Sequence, residues 1–176
     1  MLIFIIFIDK IKGRNGGMYM EPLLSPLIYA NNFIERSLKT EIPISPMKMQ
    51  KLLYLLYARY YYLYNAPLFA HQFEKWQYGP VLSEVYSEFK DYRDKPIKYF
   101  VRFPDDQVYY VKENNKKFKN CFNEVWVKFG FYSGIDLSVL THRKGSAWSK
   151  VLEYGDFLKA EDIKEDGKQL FEHVAG

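Results

Sequence analysis

A chain of 176 residues that is 48% hydrophobic and 19% aromatic is long enough to bury a core and too apolar for a disordered chain. Its single cysteine, Cys121, excludes a disulfide framework and a thiolate metal cluster, and points to an intracellular, cytoplasmic protein. The formal charge of +4 is a weak electrostatic case for nucleic acid, and it falls to +2 if residues 1–19, with Lys10, Lys12, Arg14 and Asp9, are set aside.

Setting them aside is reasonable. MLIFIIFI at the start is too short to span a bilayer, and it lacks the preceding basic residues and following cleavage site of a secretory signal. Residues 1–19 are therefore expected to be an untranslated or disordered extension, with Met1, Met18 and Met20 all open as the start. Residues 20–176 are expected to form one domain.

Ser25-Pro26 is a cap followed by a proline suited to a first helical turn, and Leu27, Ala30, Ile34 and Leu38 continue at helical spacing to Thr40. Ile42-Pro43 reads as an extended joint. Ser45-Pro46 opens a second helix to Tyr64, with Met49, Leu52, Leu53, Leu56, Tyr60 and Leu63 on one stripe and Tyr54, Tyr57, Tyr61 and Tyr64 on the next. A helix this apolar, interrupted mainly by Lys51 and Arg59, is expected to be covered on more than one side. Phe73 to Trp76 reads as a short extended piece. Gly79-Pro80 then predicts the start of a third helix, carrying Leu82, Val85, Tyr86 and Phe89 to about Tyr92.

Residues 97–112 change character: β-branched and aromatic runs on either side of Pro104-Asp105-Asp106 predict a hairpin or a pair of short strands. Phe118, Cys121, Phe122, Val125, Trp126 and Phe129 return to helical spacing, with Gly130 as the stop. Ser133 caps a short helix with Ile135, Leu137 and Leu140 as its apolar residues, and Ser146 caps another around Trp148 and Val151. A last helix from Ala160 carries Ile163, Leu170 and Phe171, with Gly167 as a weak point. The fold class is mainly α: a single globular helical domain with a small β-hairpin-like insert in the middle.

No reaction centre emerges. A nucleophile needs a base within hydrogen-bond reach, and Cys121 and His142 pair only on paper, because Cys121 lies on an apolar stripe. His71, His142 and His173 are scattered without the close pairs of a zinc site. Gly13–Gly17 has no Lys-Ser/Thr ending of a phosphate loop. Asp105-Asp106 fits a turn, and Glu161-Asp162 fits a helix N-terminus. Lys112 to Lys117 could accommodate single-stranded nucleic acid but reads better as a solvated turn. No catalytic residue, metal or cofactor is assigned, and no membrane partner is expected.

Several blocks in order are similar to one family: ANNFIE (30–35), ISPMKMQKLLYLLYARY (44–60), PLF (67–69), EKWQYGPV (74–81), VYSEF (85–89) and FNEVWVKFGFYSGIDLSVLTHRKGSAW (122–148). Together they resemble the Panacea domain, the SocA-like and phage-associated GepA-like domain of bacterial and phage antitoxins. The chain departs from that pattern at Asn32, where an aromatic is common, at Ala147, where proline often precedes the tryptophan, and in a longer polar insert between the blocks.

The resemblance implies a type II antitoxin that neutralises a toxin from a neighbouring gene by direct protein–protein binding. Its rivals are a proteolytic adaptor delivering a toxin to a protease and, more weakly, a nucleic-acid-binding regulator. The family motifs fall on Lys51, Tyr54, Trp76, Tyr78, Gly79, Pro80, Thr141, His142 and Trp148. Each also has a structural reading: Gly79-Pro80 could shape a turn, Trp76 and Trp148 could be core, and Thr141-His142 could end a helix.

Overall fold

The computed structural model describes residues 24–112 and 114–172. The expectations about the translation start and Gly13–Gly17 lie outside these residues, as does His173.

The first two helices begin where their caps predict. Ser25 accepts from the Leu27 amide at the head of α1 (Pro26–Thr40), and Ser45 accepts from the Lys48 amide at the head of α2 (Pro46–Tyr64). Every residue of α2 from Lys48 to Ala58 is buried, so the helix is covered all round. Around it pack α1, α3 (Ser83–Phe89), α4 (Lys116–Phe129), α5 (Gly134–Thr141) and α7 (Ala160–Glu172). A one-turn helix α6 (Ala147–Lys150), capped by Ser146, leads towards α7.

Gly167 explains itself by packing rather than by propensity. A Cβ there would lie 2.0 Å from the Ala58 carbonyl oxygen, so its absence lets α7 cross directly on the α2 backbone.

The apolar faces run close to the predicted stripes, with exceptions at the rim. Leu38 and Leu63 are exposed ends of their stripes, and Ile135, expected on the inner face of α5, points outward while Leu137 is buried. In a helix this short only about one apolar row can face the core, and Leu137 with Ser138 and Thr141 takes it.

Two short strands, β1 (Glu74–Trp76) and β2 (Gly79–Val81), pair antiparallel with Trp76 opposite Gly79 and Glu74 opposite Val81. The extended reading of Phe73–Trp76 thus matches β1, but Gly79-Pro80 does not open the third helix. It lies in β2, and α3 begins at Ser83, followed by a 3-10 turn at Lys90–Tyr92. The reason is tertiary. Gln50 on α2 accepts from the Leu82 amide at 2.9 Å and donates to the Leu82 carbonyl at 3.1 Å, which holds that backbone extended. Residues 155–158 lie along the other edge of β1, with Lys75 N–H donating to Asp156 and Leu158 N–H donating to Phe73, each at 2.8 Å.

The predicted strands in 97–112 do not form. The chain reverses at Phe103–Gln107 through a 2.9 Å bond, but its edge groups are claimed by two carboxamides of α1 instead of by a partner strand. Asn31 donates to the carbonyls of Val101 and Tyr109 and accepts from the Val101 amide; Asn32 donates to and accepts from Val111. Each carboxamide offers the same donor–acceptor pair as a strand backbone, so the segment is tied down without a ladder.

The fold is mainly α with a small two-stranded antiparallel sheet. Among the described residues, no helix is long and apolar enough to cross a membrane.

Candidate functional site

The β1–β2 hairpin is too short to persist on two strands of its own. Its carbonyls are taken one after another by side chains from three helices. Trp148 on α6 donates its indole N–H to the Trp76 carbonyl at 2.8 Å. The Nε2 of His142 lies 3.0 Å from the Gln77 carbonyl, and Ser138 donates to the Tyr78 carbonyl at 2.9 Å. Lys51 on α2 donates to the Pro80 carbonyl at 2.9 Å. A tilted ring contact closes the arrangement, since the ring centres of His142 and Trp148 are 3.9 Å apart.

Gly79 sits where this lattice is tightest. Its φ is +106°, and a Cβ there would come within 2.8 Å of both the Lys51 amine and the Thr141 hydroxyl. Only glycine combines that backbone with that approach.

Eight of the nine motif residues therefore meet at the hairpin. Tyr54 lies one layer deeper, edge-on to Phe73, with its hydroxyl donating to Asp166. Asp166 is itself buried: it accepts from Arg143 at 2.6 Å and from the Ala147 amide at 3.1 Å, tying α2, α6 and α7 together. His142 caps the end of α5 as well as touching the hairpin.

Burial sets the electrostatics. It lowers the Lys51 amine from 10.5 to about 7. The Tyr54 hydroxyl is raised well above its ordinary value, first by burial and then by the charge of Asp166. Cys121 is fully buried, and burial pushes its thiol up to about 12, so at neutral pH it is a thiol packed in the core rather than a nucleophile.

The outer side of the hairpin differs. Tyr78 at the turn is 57% exposed, and Tyr86 on α3, also exposed, packs its ring 4.8 Å from that of Trp76. Across β1, Tyr154 and Phe157 are exposed beside them, and a shallow cavity of about 620 Å³ opens between Trp76, Gln77, Tyr154 and Gly155. Trp76 satisfies its own indole N–H on Glu74 at 2.8 Å, leaving its ring half-buried and available as an apolar surface. Chemically, the arrangement offers aromatic contact area on a rigid support.

Sequence reasoning missed Ser138, Gln50, Asp166 and Arg143 on the inner side and Tyr86 and Tyr154 on the outer. Ser138 had a signal: it lies one helical turn before His142, on the same face. Asp166 had none, because its partners are remote in the chain.

A family profile described as "Antitoxin SocA-like, Panacea domain" matches residues 49–149, more than half of the chain. Antitoxin SocA of Caulobacter vibrioides is 39% identical over 57 residues, which cover 32% of this chain and 30% of that protein. The matched stretch thus spans under a third of the curated relative's length. No solved structure matches the chain.

Proposed function

The chain belongs to the SocA-like antitoxin family defined by the Panacea domain, and from that premise we propose that it is the antitoxin of a type II pair, acting in the cytoplasm on a toxin encoded by the adjacent gene. It acts by covering the toxin through direct contact, without a reaction or a cofactor. The observation that carries this reading is the division of the hairpin: its inner carbonyls are held by Trp148, His142, Ser138 and Lys51, while Trp76, Tyr78 and Tyr86 stand on the outside. A surface fixed before binding loses little conformational freedom on docking, and tyrosine and tryptophan give large contact area for that cost. In this reading Tyr78 and Trp76 touch the toxin. Lys51, Tyr54, Gly79, Pro80, Thr141, His142 and Trp148 hold the surface in shape.

The test is to express the adjacent gene alone and together with this one, measuring growth and co-purification. Toxicity alone, rescue together and a stable complex are expected, and a Tyr78→Ala, Tyr154→Ala double variant should fold but lose the rescue. A harmless neighbour, or no rescue, overturns the reading. Rescue accompanied by loss of the toxin, dependent on a cellular protease, would assign the chain to proteolytic delivery instead. Operator binding that falls steeply with salt would mark a nucleic-acid-binding regulator.

A further inference from the structure

The loop at 151–156 is closed on one residue of β1. Lys75 donates its backbone N–H to the Asp156 carbonyl and accepts from the Gly155 amide, each at 2.8 Å. Its side-chain amine reaches the far end of the same loop and donates to the Val151 carbonyl. One end is thus held by the backbone of Lys75 and the other by its side chain. Tyr154 lies inside that closure, next to the turn that Gly155 makes at φ +91°.

An ammonium in this position carries a desolvation cost. Lys75 is only 8% exposed, and among the described residues it makes no ion pair. A charge taken out of water needs compensation from hydrogen bonds or other electrostatic partners. Here it comes from the Val151 carbonyl and from two rings, whose centres lie 4.5 Å (Trp148) and 5.4 Å (Tyr154) from the amine. An apolar side chain of similar length would avoid the cost, but it could neither hold Val151 nor attract the rings.

The two rings differ in how much they need the lysine. Trp148 is already fixed on the inner side, by its indole bond to the Trp76 carbonyl and its contact with His142. Tyr154 is 65% exposed, and among the described residues its side chain makes no hydrogen bond and no ring–ring contact. The ammonium is what orients it.

We infer that Lys75 is a positioning residue for recognition: it closes the 151–156 loop and sets the Tyr154 ring within the aromatic surface that meets the toxin. The consequence for binding rests on the antitoxin reading, whereas the placement of Tyr154 does not. Lys75 itself touches no toxin and acts through the ring that it holds.

The experiment has one arm without a toxin. Fluorotyrosine is incorporated throughout the full chain, and the fluorine resonance lost in Tyr154→Phe is assigned to Tyr154. Lys75→Met is expected to shift or broaden that resonance, while Lys90→Met, on the exposed 3-10 turn, leaves it in place. A resonance unmoved by Lys75→Met, or moved equally by Lys90→Met, overturns the inference. The other arm measures affinity for the product of the adjacent gene. Lys75→Met and Tyr154→Ala should each weaken the complex by at least about fivefold. The double variant should be no weaker than Tyr154→Ala alone, because a residue acting through Tyr154 then has nothing left to place. Additive losses would overturn the inference and assign Lys75 to the fold at large. Circular dichroism and the melting midpoint check folding. Lys75→Arg, which keeps a donor and a cation beside the rings, guards against a misfolded Lys75→Met: it should recover the resonance and much of the affinity, and an arginine no better than methionine counts against the inference. A harmless neighbouring gene would sink the antitoxin reading alone, since the fluorine arm still decides whether Lys75 places Tyr154.

Discussion

The two sides of the β1–β2 hairpin lie only a strand's thickness apart and are built on opposite principles. On the inner side Lys51, Ser138, His142 and Trp148 are aimed at backbone carbonyls, and Lys51 and Thr141 are buried against Gly79. On the outer side Tyr78, Tyr86, Tyr154 and Phe157 are exposed around Trp76. The inner side uses polar groups where apolar ones would be ordinary, and the outer side does the reverse. A short hairpin cannot hold its own shape, so buried donors replace the missing strands. The aromatic rings on the solvent side stay exposed beside that support, and in the proposed function they serve recognition.

The contrast predicts that inner changes act on stability and outer ones on binding. The largest effect should come from below the inner side. Gly167→Ala drives a Cβ into the Ala58 carbonyl, and a loss of about 3 kcal/mol or more is expected in urea unfolding. Normal stability in that variant would mean that α7 can lift from α2 without consequence for the hub at Asp166. Asp166→Ala leaves the Tyr54 hydroxyl and the Ala147 amide without their partner and should cost about 3 kcal/mol by the same measurement.

Gly79→Ala comes next, at about 2 kcal/mol, through its positive φ and the contacts with Lys51 and Thr141. Toxin affinity should fall with it, because the outer rings ride on that turn.

The pH dependence of stability isolates Lys51. In the unfolded chain its amine holds a proton up to about 10.5, whereas in the fold it releases it near about 7, so the unfolded state binds more protons between these values. Stability should therefore rise from pH 7 towards pH 9, by on the order of 2 kcal/mol. At higher pH the trend reverses. Cys121 and Tyr57, both raised to about 12 in the fold, ionise first in the unfolded chain. Lys51→Met should flatten the rising limb; if it persists unchanged, another group is responsible.

The smallest stability effect should be on the outer side. Tyr78→Ala is expected to shift unfolding by less than about 0.5 kcal/mol while weakening the toxin complex by tenfold or more. A large stability loss there would erase the distinction between the two sides.

What the sequence by itself determined is the set of elements. Caps and apolar spacing are local signals, and Ser25, Ser45, Ser133 and Ser146 mark helix starts in the chain and in the fold alike. The order of motif blocks likewise carried the family, because it needs no knowledge of distance. Tertiary structure alone decided what the polar residues inside those motifs do. Lys51 reads as an interruption of an apolar helix, Gly167 as a weak point in another, and Asn32 as a departure from the family pattern, while Asn31 carries no signal of its own. In the fold they become a donor to Pro80, a helix crossing, and clamps on residues 101–111. The same cause turned two predictions aside: the strands at 97–112 and the helix start at Gly79-Pro80 were sound as local propensity. Side chains from α1 and α2 took up the backbone groups on which strand pairing or helix continuation would have depended, and such partners are invisible until the chain is folded.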